Sequence, residues 1–115
     1  MDNPKLLKQF EKIGISNKLA IVYLQLLRSG GDYPANITKI TGFNRSTVYK
    51  TLADLLSKNL VTEIDQNKKL YYQAQRPEKL LLKIKTKVKE AQDQYDNVER
   101  LIPLLLDMYY GDRTV

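Results

Sequence analysis

The residues best suited to chemistry in this chain lie in one short run, NRSTVYK, from Asn44 to Lys50. Its polar side chains are an amide, a guanidinium, two hydroxyls, a phenol and an ammonium, and all of them form hydrogen bonds. The chain has no histidine and no cysteine, so the commonest general base and the soft metal ligands are absent. Its scattered glycines form no phosphate-binding loop. We therefore expect no enzyme, no metal site and no cofactor, and recognition by hydrogen bonds is the chemistry that remains.

Positive charge is unevenly distributed along the 115 residues. Residues 1–76 contain 12 Lys or Arg and 6 Asp or Glu, whereas residues 77–115 contain 7 of each kind. The net charge of +6 therefore lies on the first two thirds of the chain. A basic module beside a neutral one favours a polyanionic partner, with nucleic acid first, although a solvated basic surface without a partner has the same composition.

Hydropathy and cysteine content bear on the compartment. No apolar run approaches the roughly 18 residues that a membrane-spanning helix needs, and no charged-then-apolar start marks a signal peptide. A chain without cysteine fits the reducing cytoplasm. We expect a cytoplasmic, nucleoid-associated protein with no membrane partner.

The elements that must position the polar run follow from hydrophobic periodicity. PKLLKQFEKIG and ISNKLAIVYLQLLRSGG are predicted helices, and Ser16 is the expected N-cap of the second. YPANITKITG is a short helix that ends at Gly42, and Asn44 then caps a longer helix that ends near Asn59. The second helix has an expected core stripe of Leu19, Ala20, Tyr23, Leu24 and Leu27, and the longer one of Val48, Leu52, Leu55 and Leu56.

Two segments rich in strand formers, LVTEID and KLYYQAQ, come next and predict a β-hairpin with QNK between its strands. The order of helix, helix, short helix, turn, longer helix and hairpin predicts a winged helix-turn-helix. In that fold the longer helix enters the major groove of DNA with its N-terminal residues, and the hairpin is the wing.

This arrangement assigns roles to the polar residues. Ser46, Thr47 and Lys50 are the best candidates for base contacts, and Arg45 for a base or a phosphate. For Tyr49 two roles stay open: a direct contact to DNA, or a ring packed against the edge of the core with only its hydroxyl reaching a phosphate. The wing tip contacts phosphates or the minor groove, or is a solvated turn. The full predicted set is Asn44, Arg45, Ser46, Thr47, Tyr49, Lys50, Asn67, Lys68 and Lys69.

A long helix from Pro77 is the second informative segment. Apolar residues recur along it at alternating spacings of three and four, which predicts a coiled-coil seam that a second copy of the chain covers, against the alternative that the helix folds back on its own domain. Pro103 lies off the seam and predicts a kink or break. Lysines precede acidic residues, which indicates either antiparallel pairing or contacts to flanking DNA. The predicted dimerisation residues are Leu81, Ile84, Val88, Ala91, Tyr95, Val98, Ile102 and Leu105.

Three segments, IGISNKLAIVYLQLLRSG, ITKITGFNRSTVYKTLADLLSKNLV and YYQAQRPEKLL, resemble the winged-helix domain of the TrmB-type transcriptional regulators. The resemblance covers about residues 10–110 and departs from the family pattern at Asn44, where proline is common, and at Asn59, where glycine is common. It implies a DNA-binding homodimer with contacts from Arg45, Ser46, Thr47, Tyr49 and Lys50. Many members continue into a sugar-binding effector domain, and this sequence stops near where that domain would begin, either as a short natural member or as a piece that ends before it. Sugar sensing is therefore not carried over, and no small-molecule site is evident in this sequence.

The expected fold is mainly α with a small β-hairpin wing, followed by a long C-terminal coiled-coil helix. Residues 1–76 are the predicted DNA-binding domain and residues 77–115 the dimerisation helix. The predicted function is a sequence-specific transcriptional regulator that binds double-stranded DNA as a homodimer on an inverted-repeat operator. The alternatives are an architectural, weakly specific DNA-binding protein and a winged-helix protein-interaction module.

Overall fold

The computed structural model describes residues 3–111, which form five helices and two strands. The mainly helical fold with a hairpin wing and a long C-terminal helix is as predicted. Backbone contacts divide the chain into two compact units, with the boundary between Lys79 and Leu80. In chain order the elements are α1 (Pro4–Lys12), α2 (Asn17–Ser29), α3 (Pro34–Thr41), α4 (Arg45–Ser57), β1 (Val61–Gln66), β2 (Lys69–Ala74) and α5 (Glu78–Gly111).

Local signals in the sequence fix the ends of the helices. Asn44 caps α4 as predicted, because its Oδ1 accepts a hydrogen bond from the Thr47 backbone N–H at 2.8 Å. Gly42 adopts the left-handed conformation after α3, with φ of 76°. Asn59, two residues beyond α4, has φ of 59°, a value that asparagine tolerates better than most residues.

The core of the first unit lies between α2, α3, α4 and the start of β1. The largest fully buried side chains include Tyr23 and Leu26 of α2, Ile37 of α3, and Leu52 and Leu55 of α4. Burial of each such side chain contributes about 1.5–3 kcal/mol. The helix-turn-helix is therefore held by apolar contacts among all of its elements.

The predicted core stripe of α2 is partly wrong. Leu27 is 38% exposed and Leu24 is half-buried, whereas Val22 and Leu26 are both 0% exposed. The segment IVYLQLL is apolar at almost every position, so periodicity alone does not determine which side of the helix faces the core.

The wing is an antiparallel hairpin in which Val61 pairs with Ala74 at one end and Gln66 with Lys69 at the other. Because Gln66 pairs in the ladder, the connection is the two residues Asn67 and Lys68 and not the predicted QNK. A single extra bridge joins Asp32 to Tyr72 through backbone N–H to O distances of 2.9 and 2.8 Å. This bridge, which the sequence did not predict, ties the loop before α3 to the wing.

The second unit consists of most of α5, a helix of 34 residues. The helix runs through Pro103 to Gly111, so the break considered at Pro103 does not occur. Proline removes only the hydrogen bond to the Glu99 carbonyl, and the remaining hydrogen bonds carry the helix past it. No described residue of α5 is buried.

Candidate nucleic-acid interface

The N-terminus of α4 is an ordered array of polar groups. Asn44 Oδ1 accepts from both the Thr47 backbone N–H at 2.8 Å and the Ser46 hydroxyl at 3.0 Å. Since a backbone N–H can only donate, the Asn44 atom must be the oxygen, and the Ser46 hydroxyl must be the donor. The hydroxyl proton of Ser46 is therefore used in an intramolecular hydrogen bond, and the exposed lone pairs of the Ser46 oxygen can accept hydrogen bonds from a partner.

Arg45 and Tyr49 form a stacked pair one turn apart on α4. The guanidinium carbon of Arg45 lies 5.7 Å from the centre of the Tyr49 ring. Tyr49 is 41% exposed, so part of its side chain is accessible at the surface of α4. A cation–π contact of this kind orients the guanidinium before any partner arrives.

The remaining polar residues of the run differ in exposure. Lys50 is exposed, whereas Thr47 is half-buried. Thr47 lies one turn before Thr51, which is 4% exposed and belongs to the core side of α4. The predicted polar face is therefore narrower than the sequence suggested, with Ser46 and Lys50 at its centre and Thr47 at its edge.

The wing tip is a tight turn of two residues with positive φ, 52° for Asn67 and 65° for Lys68. Two successive left-handed residues correspond to a type I′ turn, whose twist matches that of the strands. Asn67, Lys68 and Lys69 are all exposed. Asparagine tolerates this conformation and lysine does not favour it, so Lys68 is held there by the hairpin.

A cleft of about 800 Å³ lies between α3, the start of α4 and the wing tip. Five of the nine residues predicted to contact DNA meet there, whereas Asn44, Ser46, Thr47 and Lys50 do not line it. Four cationic side chains and no acidic ones are found among its lining residues, which are Tyr33, Pro34, Ala35, Asn36, Lys39, Arg45, Tyr49, Gln66, Asn67, Lys68, Lys69 and Leu70. The cleft is therefore suited to an anionic partner.

Sequence reasoning missed Lys39, the fourth cation of this cleft. Lys39 lies in the last turn of α3, in the segment ITKITG, and its side chain is exposed. A basic residue on the first helix of a helix-turn-helix, just before the turn, was the available signal, because that helix lies next to the recognition helix.

Tyr33 braces the wing against the helix-turn-helix. Its hydroxyl donates to Gln66 Oε1 at 3.1 Å, and its ring meets Tyr71 edge-on with centroids 5.0 Å apart. Tyr71 in turn lies against the backbone of Gly31, where an added Cβ would come within 2.6 Å of the Tyr71 ring. These contacts hold the wing against the start of α3.

Tyr72 is the wing residue of the bridge to Asp32, and its side chain also joins the two strands of the wing. It is 3% exposed, and its hydroxyl donates to Glu63 Oε2 at 2.6 Å across the strand pair. Burial and this hydrogen bond raise the pKa of Tyr72 well above its ordinary value, so the phenol stays protonated at physiological pH.

The predicted dimerisation residues lie along one side of α5, and all of them are exposed. For the seven larger residues of this set, all except Ala91, the exposed fractions run from 39% for Ile84 to 63% for Val88. Hydrophobic side chains lined up in water along a helix of this length are an unsatisfied surface.

Within residues 3–111, no group of three or more His, Cys, Asp or Glu side chains is placed to hold a metal ion. Among the helices described, none is long and apolar enough to cross a membrane.

Comparison with known proteins gives the family. A family model described as the sugar-specific transcriptional regulator TrmB matches residues 10–78. A relative from Pyrococcus furiosus, the HTH-type sugar sensing transcriptional regulator TrmBL1, is 27% identical over 105 residues, which are 91% of this chain and 29% of the relative. This chain thus spans less than a third of that relative's length.

Solved structures share the fold at low sequence identity. TrmBL2, described as an archaeal chromatin protein with a novel mode of DNA binding, has a TM-score of 0.82 and 15% identity, covering 96% of this chain and 43% of that one. The ST1889 protein of Sulfolobus tokodaii has a TM-score of 0.56 and 17% identity, covering 81% of this chain and 97% of that one. A mutant of MarR from E. coli has a TM-score of 0.58 and 14% identity, covering 89% of this chain and 85% of that one.

The family model covers more than half of the chain, and it covers the helix-turn-helix and wing that frame the cationic cleft. The chain belongs to the TrmB family of winged-helix transcriptional regulators, which is a family of DNA-binding proteins and not of enzymes.

Proposed function

We propose that this protein is a sequence-specific transcriptional regulator that binds double-stranded DNA as a homodimer on an inverted-repeat operator. Residues 1–76 act as the DNA-binding domain and residues 77–115 as the dimerisation helix. The observation that carries the proposal is the exposed polar N-terminus of α4 beside a cleft that has four cations and no acidic lining residue. Recognition helices reach base edges with their N-terminal residues.

The residues of the interface divide into two kinds. Ser46 and Lys50 stand on the exposed side of α4 and read base edges, since lysine donates to guanine O6 and N7 and an acceptor hydroxyl receives an amino proton. Thr47 contributes at the edge of this face, and Asn44 acts chiefly by holding the helix end. Arg45, stacked on Tyr49, lies where α4 meets the cleft and reaches a base or the adjacent phosphate.

The cleft and the wing tip bind the phosphate backbone. Lys39 and Lys69 approach it from opposite sides of the cleft, and Asn67 and Lys68 extend the contact toward the minor groove. Phosphate contacts position the protein without reading sequence, and each neutralised phosphate makes binding more sensitive to salt. The affinity should therefore come mostly from the cleft and wing, and the specificity from α4.

The test compares two exposed lysines, Lys50, which is proposed to read base edges, and Lys39, which is proposed to bind the phosphate backbone. Genomic fragments bound by the protein at near-physiological salt are sequenced to find a shared inverted repeat, and fluorescence anisotropy then measures binding to that operator and to random DNA. Lys50→Ala should lower the ratio of operator to random affinity by about 1–3 kcal/mol. Lys39→Ala should weaken both equally and reduce the salt slope by about one.

Equal losses on all sequences for both variants would contradict base reading by α4.

One specific observation favours a second candidate, an architectural protein that binds DNA with little specificity. The fold match to TrmBL2, described as a chromatin protein, supports it, and so does a cleft whose cations suit any phosphate backbone. Recovery of fragments evenly across the genome would select this candidate over the regulator.

A further inference from the structure

The apolar seam of α5 reads almost the same in both directions. From its N-terminal end the seam residues are leucine, isoleucine, valine and alanine, and from its C-terminal end they are leucine, isoleucine, valine and tyrosine. Leu81 corresponds to Leu105, Ile84 to Ile102, Val88 to Val98, and Ala91 to Tyr95. The centre of this symmetry lies level with Asp93.

We propose that the seam is covered by a second copy of α5 that runs antiparallel, with the two helices crossing level with Asp93. The proposal rests on the homodimer of the proposed function and specifies its geometry. The two seam positions of a coiled-coil heptad are called a and d, and in an antiparallel pair each a position faces a d position of the other helix. In this seam the facing residues are alike: Leu81 faces Leu105 of the partner subunit, Ile84 faces Ile102 of the partner subunit, and Val88 faces Val98 of the partner subunit.

The central layers favour the antiparallel pair on volume. Ala91 faces Tyr95 of the partner subunit, so the smallest seam residue accommodates the largest, and the symmetry repeats this layer on the other side of the centre. In a parallel pair Tyr95 would face Tyr95 of the partner subunit, and Ala91 would face Ala91 of the partner subunit. One layer would then be overfilled and its neighbour underfilled, and both defects destabilise a packed core.

Charge beside the seam agrees with this register. Lys85 and Glu99 occupy equivalent flanking positions, and in the antiparallel pair Lys85 lies opposite Glu99 of the partner subunit, twice by symmetry. In the parallel pair the flanking positions join Lys87 to Gln92 and Gln94 to Glu99 of the partner subunit, with no pairing of opposite charges. Exposed pairs stabilise little, but they select orientation.

Proline and the apolar C-terminal end also fit. Pro103 lies on the side of α5 away from the seam, so its ring does not enter the interface. Met108, 66% exposed in the single chain, would face Leu80 of the partner subunit in this register. Leu101 would lie over the aliphatic stem of Lys87 of the partner subunit. The methylene groups of lysine side chains commonly cover apolar surface in this way.

The orientation determines how far apart the two domain boundaries lie. In the antiparallel register the two Leu80 residues are separated by about 39 Å along the helix axis, at 1.5 Å per residue. In a parallel pair they would be neighbours, about 8–10 Å apart across the interface.

Because the chain contains no cysteine, single cysteine variants report the orientation without background. Leu81→Cys and Leu105→Cys lie in the outermost complete layers, where a smaller side chain perturbs the seam least. In the antiparallel pair the two copies of position 81 are about 36 Å apart, far beyond the reach of a disulfide. The two variants, one carrying a size tag, are unfolded together, refolded and oxidised, and cross-linked dimers are separated on a denaturing gel.

We expect the mixture to give the tagged–untagged cross-link in at least about tenfold excess over either variant alone. Self-cross-linking of Leu81→Cys alone would overturn the proposal in favour of parallel pairing. A protein that sediments as a dimer but forms no cross-link in the mixture would overturn this register. Sedimentation of the unmodified chain as a monomer would overturn the homodimer itself, while DNA binding by α4, measured separately, would stand or fall on its own.

Discussion

The two units of this molecule differ in the solvent exposure of their hydrophobic residues. Within the first unit, Tyr23, Leu26, Ile37 and Leu55 are buried to within 1% of complete exclusion from solvent. In α5 all seam side chains are exposed, and the exposed fraction of each of the larger ones is 39% or more. The first unit completes its core by itself, whereas the seam of α5 stays exposed in the single chain, and we propose that a second copy covers it. Mutations in the first unit should therefore change folding stability, and mutations on the seam should change assembly.

The largest effect is expected from the α2 core. Leu26→Ala should lower the free energy of unfolding by about 2–5 kcal/mol, because Leu26 is 0% exposed and its removal leaves a cavity. Leu27→Ala is the matched control, one residue along and 38% exposed, and should cost less than about 1 kcal/mol. Urea unfolding followed by circular dichroism measures both, and equal losses would show that the core is misplaced.

On the other side of the comparison, Val88→Asp should dissociate the dimer without unfolding the first unit. A carboxylate in an apolar seam should weaken dimerisation by at least about 100-fold, or about 2.7 kcal/mol. Thr86→Asp adds the same charge on the opposite side of α5 and should leave the dimer intact. Sedimentation at several protein concentrations distinguishes the two, and a Val88→Asp protein that remains dimeric would exclude this seam as the interface.

A smaller effect is expected at the start of α4, where substitutions should change base preference and not folding stability or dimerisation. Ser46→Ala should reduce a preference for adenine or cytosine at one operator position by about 1 kcal/mol, because only the amino groups of those bases donate to a hydroxyl whose own proton is engaged. Asn44→Gly frees that proton at a cost of only a few tenths of a kcal/mol to the helix, so guanine and thymine should become acceptable there.

Binding to a set of operators altered at single positions measures this change. An unaltered base preference in Asn44→Gly would show that the hydrogen bond between Ser46 and Asn44 does not direct readout. Neither substitution should alter sedimentation, since both positions lie in the first unit.

The smallest effect is expected at the wing tip. Lys68→Gly should stabilise the first unit by about 0.5–1 kcal/mol, because glycine adopts positive φ without strain, while DNA affinity falls with the lost charge. Lys68→Asn removes the same charge and should weaken DNA binding to a similar extent. Thermal unfolding and anisotropy together measure these effects, and a DNA affinity that is unchanged in both variants would remove Lys68 from the interface.

Short-range signals predicted much of this architecture. Asn44, Gly42 and Asn59 have local conformational preferences that act within a few residues, so the ends of α3 and α4 were readable. The core side of α2 was not, because IVYLQLL offers more than one apolar stripe. The bridge between Asp32 and Tyr72 depends on a single residue in a loop and leaves no periodic pattern.

The cleft shows a second limit of the sequence. Its lining comes from α3, α4 and the hairpin, so no local pattern pointed to Tyr33, and only its place before the turn pointed to Lys39. Arg45, Tyr49 and the wing-tip residues were identified because the helix-turn-helix motif assigns roles by position. Their meeting around one cleft required the packing of three elements, which depends on long-range contacts.

The contact between Gly31 and Tyr71 has a consequence for the thermodynamics of association. Because Tyr71 rests on a backbone without a side chain and its ring also meets that of Tyr33, we expect the wing to be ordered before any ligand binds. A loop that folds only on binding loses conformational entropy at that moment, and a wing braced in this way has already lost it during folding. Association should then proceed with a modest heat-capacity change and as a rigid-body encounter, limited by diffusion and charge and not by rearrangement of the protein.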